Sequence, residues 1–460
     1  MTRPLGSVTG VPFTDMPPAK TPSRKIAVIG SGISGLSAAW LLSKGHEVTL
    51  FEKDTRLGGH ANTLDVDTPD GRTPVDTGFI VYNRRNYPNL SALFDHLGVA
   101  TDETEMSFAL STGGGAYEYS GSGFSGFFGQ WRNSLSPRHW RLLRDLSRFF
   151  ATAKDRIASG RHDMSLGEFL EVEGYGESFI ADHIVPMGAA IWSTDADEML
   201  RFPARSFIDF YDNHGMLQFN DRPLWRTVTG GSRNYVEKIV ADGDIEVITG
   251  TPIARLVRHP NYVHVTDMGG VSRPFDHVVV ASQADQALAM LDQPDEAETN
   301  LLSRFGYQFN KAVLHRDTRW MPRRRHLWSS WNYLRNGPDE GLCVTYWMNR
   351  LQPLPTQSNL FVTLNPTAPI HAKFVDAEID YRHPVFDAGA MEAQRDLWSI
   401  QGARRTWFCG SYFGFGFHED GIQSGLAVAE QLGGIRRPWE VENESGRLSL
   451  PIAAKLEAAE

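Results

Sequence analysis

The chain has 460 residues, is 41% hydrophobic, and carries 45 Lys and Arg against 55 Asp and Glu, a formal charge of −10. That balance leaves no bulk attraction to nucleic acid, and no apolar run reaches the roughly 18 to 20 residues of a bilayer span. Two cysteines give no disulfide framework, and no CxxC or HExxH spacing offers a metal site. A reducing, cytoplasmic setting and a metal-free site are therefore the expectation.

Residues 1–23, rich in Pro, Thr and Ser and without an apolar signal core, read as a disordered leader. An apolar strand over 24–29 then runs into Gly30-Ser31-Gly32-Ile33-Ser34-Gly35, a helix to Lys44, and a second strand over 47–51 that ends at Glu52. Glycine at 30 permits a tight turn, at 32 a close approach of backbone N–H groups to a pyrophosphate, and at 35 a helix lying close on the sheet. Glu52 is placed to accept from a ribose diol, and an acid there argues against a 2′-phosphate. Glycine loops alone are common; the strand, helix and acid around this one mark a dinucleotide site.

NAD folds usually pass from the acid into a helix. Here Glu52-Lys53 leads to a second glycine turn, Arg56-Leu57-Gly58-Gly59-His60, and some twenty residues on a strand breaks at Gly78-Phe79. Near the other end, 405–411 reads as a strand running into Gly410-Ser411, and the stretch from Gly414 through Asp420-Gly421-Ile422 to Gly425 opens a helix over 426–432. Free N–H groups at such a helix start suit a flavin carbonyl.

These motifs resemble the FAD-dependent superfamily of amine oxidases, protoporphyrinogen oxidases and phytoene-type desaturases, a likeness covering most of 24–435. It implies an α/β chain, with a Rossmann-like FAD-binding domain of glutathione-reductase type interleaved with an α+β substrate domain. The FAD domain would take 24–95, 226–290 and 401–436, the substrate domain 96–225 and 291–400, with a dispensable C-terminal tail over 437–460. The implied FAD contacts are Gly30, Gly32, Ile33, Ser34, Gly35, Glu52, Lys53, Gly58, Gly59, His60, Gly78, Phe79, Ile253, Gly410, Ser411, Asp420, Gly421 and Ile422. Ile253 belongs to a segment, 246–256, similar to the family's crossover, and would lie against adenine. His60 stands where many relatives carry arginine, which leaves it open between a phosphate and the flavin. FAD is expected to be non-covalent, with neither Cys343 nor Cys409 linked to it.

Within the insertions, Gly113-Gly114-Gly115 reads as a hairpin turn, since no helix follows. Residues 137–157 place Leu143, Leu146, Phe149, Phe150 and Ile157 at helical spacing beside Arg138, Arg141, Arg144, Arg148 and Lys154. Two readings fit: an amphipathic helix on its own core, or, with Phe124, Phe127, Phe128 and Trp131 before it, an interfacial helix giving 124–157 peripheral contact with the inner face of a membrane. The basic run 321–326 reads as a solvated turn or as a headgroup contact. Dense aromatics, among them Trp192, Phe210, Tyr211 and Trp331, serve either as core or as walls of an apolar tunnel.

Polar candidates for chemistry are His214, His315, Asn332 and His418, each set against a structural role. Lys311, before Trp320, matches by position the lysine that holds a water at flavin N5 in amine oxidases; an exposed strand lysine is the alternative. Flavin takes a hydride readily from carbon next to nitrogen or to a double bond, which leaves amines and allylic lipids as substrates. The closing segment Tyr412, Phe413, Phe415, Phe417 is more apolar than an amine site needs. Within the superfamily the chain is most similar to a bacterial branch working beside cyclopropane-fatty-acid-synthase-like methyltransferases. That likeness implies desaturation of a methyl-branched or unsaturated acyl chain on the route to furan fatty acids. A carotenoid-type desaturase, an amine oxidase and a non-redox FAD- or lipid-binding protein are the alternatives.

Overall fold

The computed structural model describes residues 22–159, 164–192, 196–213, 215–217, 223–335 and 343–450. Lys25–Ile29 (β1) and Glu47–Phe51 (β2) each begin exposed and are buried from the second residue on, the mark of central strands covered on both faces. They join Ile245–Ile248 (β3), His277–Val280 (β4) and Thr406–Phe408 (β5) in one parallel sheet of order β3-β2-β1-β4-β5. Three distant stretches of chain thus build one five-stranded sheet.

Ile33–Leu42 (α1) is buried along its whole length, so it needs small residues where a neighbour crosses. That neighbour is His418–Gly433 (α3). A Cβ on Gly425 would stand 2.2 Å from the Ser34 carbonyl oxygen, and one on Gly421 would stand 2.8 Å from Ile33. The sequence pattern placed the helix start after Gly425; it begins at His418, because Gly421 and Gly425 are crossing residues inside the helix rather than breakers before it.

A second sheet of seven strands is mostly antiparallel. Its order is Val375–Val385, Gly306–His315, Phe361–Leu364, Cys343–Trp347, Trp331–Arg335, Phe108–Thr112 and Tyr117–Ser120. The triple glycine does turn the last hairpin, with φ of 57°, 59° and 88° at Gly113, Gly114 and Gly115. Pro137–Ala158 (α2) starts at the Ser136 cap, whose side chain accepts from the His139 N–H, and buries Leu146, Phe149, Ala153 and Ile157 in a helical core with Phe169, Phe179 and Phe207.

Residues 437–450, expected as dispensable tail, pack onto the first core. Trp439 stacks on Trp40 at 5.7 Å, Arg437 is 2% exposed and Leu448 4% exposed. Apolar burial, not chain position, decides what is structural.

Candidate active site

One cavity of about 1200 Å³ runs from the β1 loop across to the helical core. At its first end Gly30, with φ of 104°, brings its Cα so close to Ala281 that a Cβ would stand 2.7 Å from that carbonyl. A Cβ on Gly32 would meet nothing within 4 Å, so the space above it is open to a ligand. The second glycine turn folds onto this loop: the Gly58 N–H donates to the Ser31 carbonyl at 3.0 Å, and Arg56 clamps the turn through a 2.8 Å bond to the Gly59 carbonyl. Arg56 lines the cavity and brings a cation to its glycine-loop end. Glu52 accepts from the Ser31 N–H at 2.9 Å and from the Asp54 N–H at 3.0 Å, which leaves lone pairs of the carboxylate for a sugar.

Fourteen of the sequence-derived contact residues line this cavity: Gly30, Gly32, Ile33, Ser34, Glu52, Lys53, Gly58, Gly59, His60, Gly78, Phe79, Ile253, Gly410 and Ser411. Gly35, Asp420, Gly421 and Ile422 lie behind its wall. A Cβ on Gly35 would stand 1.9 Å from the Gly30 carbonyl, and the Asp420 carboxylate accepts from the Phe417 N–H at 2.8 Å and from Arg447 at 3.0 Å. These four build the cradle rather than face its contents.

Farther in, Phe79 stacks on His418 at 3.7 Å between ring centroids, and the Tyr235 hydroxyl lies 3.1 Å from His418 Nε2. His60 stacks on Tyr381 at 5.1 Å and lies 5.2 Å from His383. The Tyr381 hydroxyl meets Thr77 at 2.8 Å and Asn62 at 3.0 Å. Burial lowers the pKa of all three histidines, helped at His60 by Arg56, to about 4 at His60 and about 3 at His383 and His418. They are neutral at physiological pH.

Lys311 does not reach the cavity. Its Nζ is 2.9 Å from Glu378 and its side chain is 52% exposed, on the outer face of its strand. His315 is buried between Thr363, 2.7 Å from Nε2, and the Asp317 N–H, 3.1 Å from Nδ1. Asn332 ties its own turn to Thr345. His214 lies outside the described residues.

Tyr381 and His383 went unnoticed in the sequence, and Arg56 was read only as part of the second glycine turn. A signal existed for the first two: in Val375–Val385 acids at 376, 378 and 380 alternate with Val375, Ala377, Ile379 and Tyr381, so His383 falls on the inward face.

The opposite half of the cavity is apolar, with walls including Phe127, Leu146, Phe150, Met187, Ile191 and Phe210. Cys343 and Cys409 are both buried and neither lines the cavity. Among the described residues no group of His, Cys, Asp or Glu could hold a metal ion, and no helix is long and apolar enough to cross a membrane.

A parallel sheet with paired glycine loops at its carboxyl ends, and an apolar chamber beyond them, defines an FAD-dependent oxidoreductase. The profile of the flavin containing amine oxidoreductases matches residues 33–368. The chain belongs to that family, and FAD is its non-covalent cofactor.

A 4,4′-diapophytoene desaturase of Staphylococcus aureus is 59% identical over 44 residues, a match spanning 9% of this chain and 9% of the length of that enzyme. Among solved structures, a fatty acid isomerase of P. acnes that produces CLA aligns over 89% of this chain and 98% of its own at TM-score 0.61 and 16% identity. Putrescine oxidase bound to putrescine aligns over 89% and 99% at TM-score 0.64 and 16% identity. Likeness at that identity establishes the fold they share.

Proposed function

We propose that the enzyme removes a hydride from an apolar lipid-like substrate, desaturating a methyl-branched or unsaturated fatty acyl chain. The observation that carries this reading is the lining of the inner chamber. Its walls from Met106 and Phe108 through Phe127, Leu146, Phe150 and Met187 to Phe210 are apolar, and the carboxylates that line the cavity as a whole, Glu52, Asp54 and Asp380, belong to the stretch after β2 and to the Val375–Val385 strand. A cationic amine would lose its hydration there without a partner charge, at a cost of several kcal/mol, whereas an acyl chain gains about 0.8 kcal/mol per buried CH₂.

When bound, FAD supplies the acceptor for the hydride; the chain itself holds the acyl segment, excludes water, and offers in neutral His60, whose Nε2 has no hydrogen-bond partner among the described residues, a base for the proton lost from the adjacent carbon. Gly32 and the Gly58-Gly59 turn hold the dinucleotide end, Arg56 meets its charge, and Phe79 with His418 walls the middle of the cavity.

Peripheral contact with an anionic membrane follows from the same reading. Phe124, Trp131, Leu135 and Trp140 are 79%, 67%, 75% and 52% exposed, with exposed Arg132, Arg141 and Arg325 nearby. Phe127, one turn from Phe124 on Gly123–Phe127, lines the cavity. The surface that would meet acyl chains thus adjoins the chamber that would receive one.

The test is anaerobic mixing of the yellow purified protein with monounsaturated or methyl-branched phospholipid, with a carotenoid precursor, and with a polyamine. Flavin absorbance is expected to bleach with the phospholipids. Bleaching by polyamine alone, or by the carotenoid precursor alone, would overturn the acyl assignment.

A further inference from the structure

A hydrogen-bond relay fixes the donor character of a histidine in the cavity wall. The Lys311 backbone N–H lies 2.9 Å from Asn365 Oδ1. A backbone N–H can only donate, so the atom assigned as Asn365 oxygen is the acceptor and its other amide atom is the NH₂ group. That NH₂ donates to Asn310 Oδ1 at 2.7 Å. Asn310 Nδ2, 3.0 Å from His383 Nδ1, must then be the donor of that pair. A neutral imidazole accepting at Nδ1 carries its proton on Nε2.

Two features indicate that the relay is held firmly. Asn365 sits at φ of 48°, a left-handed conformation uncommon outside glycine, and is kept there by donating its own N–H to the Lys311 carbonyl at 2.8 Å. Asn310 is fully buried, and its Nδ2 also lies 3.3 Å from the Gln308 carbonyl, so protein groups rather than water hold its amide.

His383 lines the cavity, and among the described residues Nδ1 is the only nitrogen of this ring with a hydrogen-bond partner. Its neighbours are His60 and, two residues back on its own strand, Tyr381, whose hydroxyl would stand 3.2 Å from a Cβ on Gly78. His383 therefore shares a wall with the His60 to Phe79 segments at the cofactor end. An aliphatic chain has no lone pair at its reacting carbon, so on the apolar-substrate reading the acceptor for Nε2–H is on the cofactor.

We propose that His383 donates a hydrogen bond from Nε2 to the flavin ring of bound FAD, and that Asn310 and Asn365 are positioning residues that impose this tautomer. A neutral donor strengthens as its acceptor gains negative charge, so His383 would favour the reduced flavin over the oxidised one. The expected size is about tenfold in the reduction equilibrium, which is about 30 mV for a two-electron couple.

The experiment uses the FAD-loaded, substrate-free protein, which separates this inference from the choice of substrate. Midpoint potentials and visible spectra would be compared for wild type, His383→Phe and His383→Gln. The Phe variant is expected to lower the potential by about 30 mV and shift the spectrum, and Gln, which keeps a donor, to restore most of both. A second readout is the ¹⁵N spectrum of labelled histidine, with the His383 signals assigned by difference. Wild type should show a protonated Nε2 and an unprotonated Nδ1, and Asn310→Leu, which keeps the ring, should lose that preference. Yellow His383→Phe protein with unchanged potential and spectrum would overturn the proposal, as would a wild-type ring protonated at Nδ1. So would a shift that appears only when lipid is added, which would place the acceptor on the substrate.

Discussion

Arg447 reaches back 27 residues to place its guanidinium 3.0 Å from Asp420, the carboxylate that caps the first turn of α3. Asp420 is fully buried, and Arg447 also donates to the Asn86 carbonyl. The C-terminal segment is thereby fastened to the helix start beside the cavity. Removing one partner of a buried pair costs about 3 to 5 kcal/mol; because Arg447 retains 19% exposure, Arg447→Ala is expected at the lower end. Thermal unfolding should show a lower midpoint and earlier flavin release, and truncation after Arg436 a larger effect. Wild-type behaviour of the truncated chain would show that the strap is dispensable after all.

Gly32 and Gly35 should fail in different ways although only two residues separate them. A Cβ at Gly32 meets no protein atom within 4 Å, while at Gly35 it would stand 1.9 Å from the Gly30 carbonyl. Gly32→Ala should therefore fold with unchanged or slightly raised stability, within about 1 kcal/mol, yet bind FAD at least about tenfold more weakly because the methyl occupies the pyrophosphate's space. Gly35→Ala should lose about 1 to 3 kcal/mol of folding stability, as overpacking does. Thermal melts and FAD titration of the apo forms separate the two; equal losses in both assays would contradict the cradle.

These contrasts also mark what the sequence could tell. The glycine loops, Glu52 and the Gly-Gly turn were legible because each works through local backbone geometry at fixed spacing. Asp420 and Gly421 were recognised as special, but their role was legible only in part: the sequence does not record that α3 crosses α1 at Gly421, nor that Arg447 takes up the Asp420 carboxylate. His383 depends on a register in which Asn310 lies opposite Tyr381 across two strands, a pairing 71 residues apart that no local pattern specifies. Lys311 was left open between the flavin and the surface for the same reason, since the sequence does not record that its neighbour Asn310 turns inward and that alternation sends Lys311 out.

Six histidines should make the protein acid-labile. Burial holds His60, His139, His277 and His315 at about 4, and His383 and His418 at about 3, from an ordinary value of 6.5. As pH falls below about 6.5 the unfolded chain takes up protons that the folded one refuses, so stability, fully present above that pH, is lost towards about pH 4. The unfolding midpoint is expected to fall steadily between pH 7 and 5, and His315→Gln to flatten part of that slope. A midpoint independent of pH in this window would count against neutral buried imidazoles.

Membrane binding should depend on the apolar residues before α2 and at its start more than on the arginines along it. Arg138 pairs with Asp182 at 2.6 Å, Arg148 donates to the Glu173 carbonyl at 2.9 Å and lies 4.0 Å from the Tyr175 ring, and Lys154 pairs with Asp212 at 2.5 Å. These charges are already engaged, while Trp131 and Leu135 are free of cover at 67% and 75% exposure. Trp131→Ser combined with Leu135→Ser should reduce sedimentation with anionic vesicles at least about fivefold, given about 1 kcal/mol or more per large apolar side chain transferred, with the unfolding midpoint unchanged. Equal binding by the double variant would remove this surface as the contact.

Lys311 provides the sharpest contrast with amine oxidase chemistry, in which a lysine at the matching position holds a water at flavin N5. Here the ammonium is paired with Glu378 at 2.9 Å, and that hydrogen bond, with the attraction of the same carboxylate, raises its pKa. A solvent-exposed strand pair of this kind contributes little to stability. Lys311→Met is accordingly expected to keep its FAD, its visible spectrum and its rate of anaerobic reduction by the best lipid substrate within about twofold, since only a surface pair is lost. A fall of a hundredfold in that rate, with folding intact, would mean that the Gly306–His315 strand rotates Lys311 inward once FAD is bound, and would return the amine-oxidase arrangement to this site.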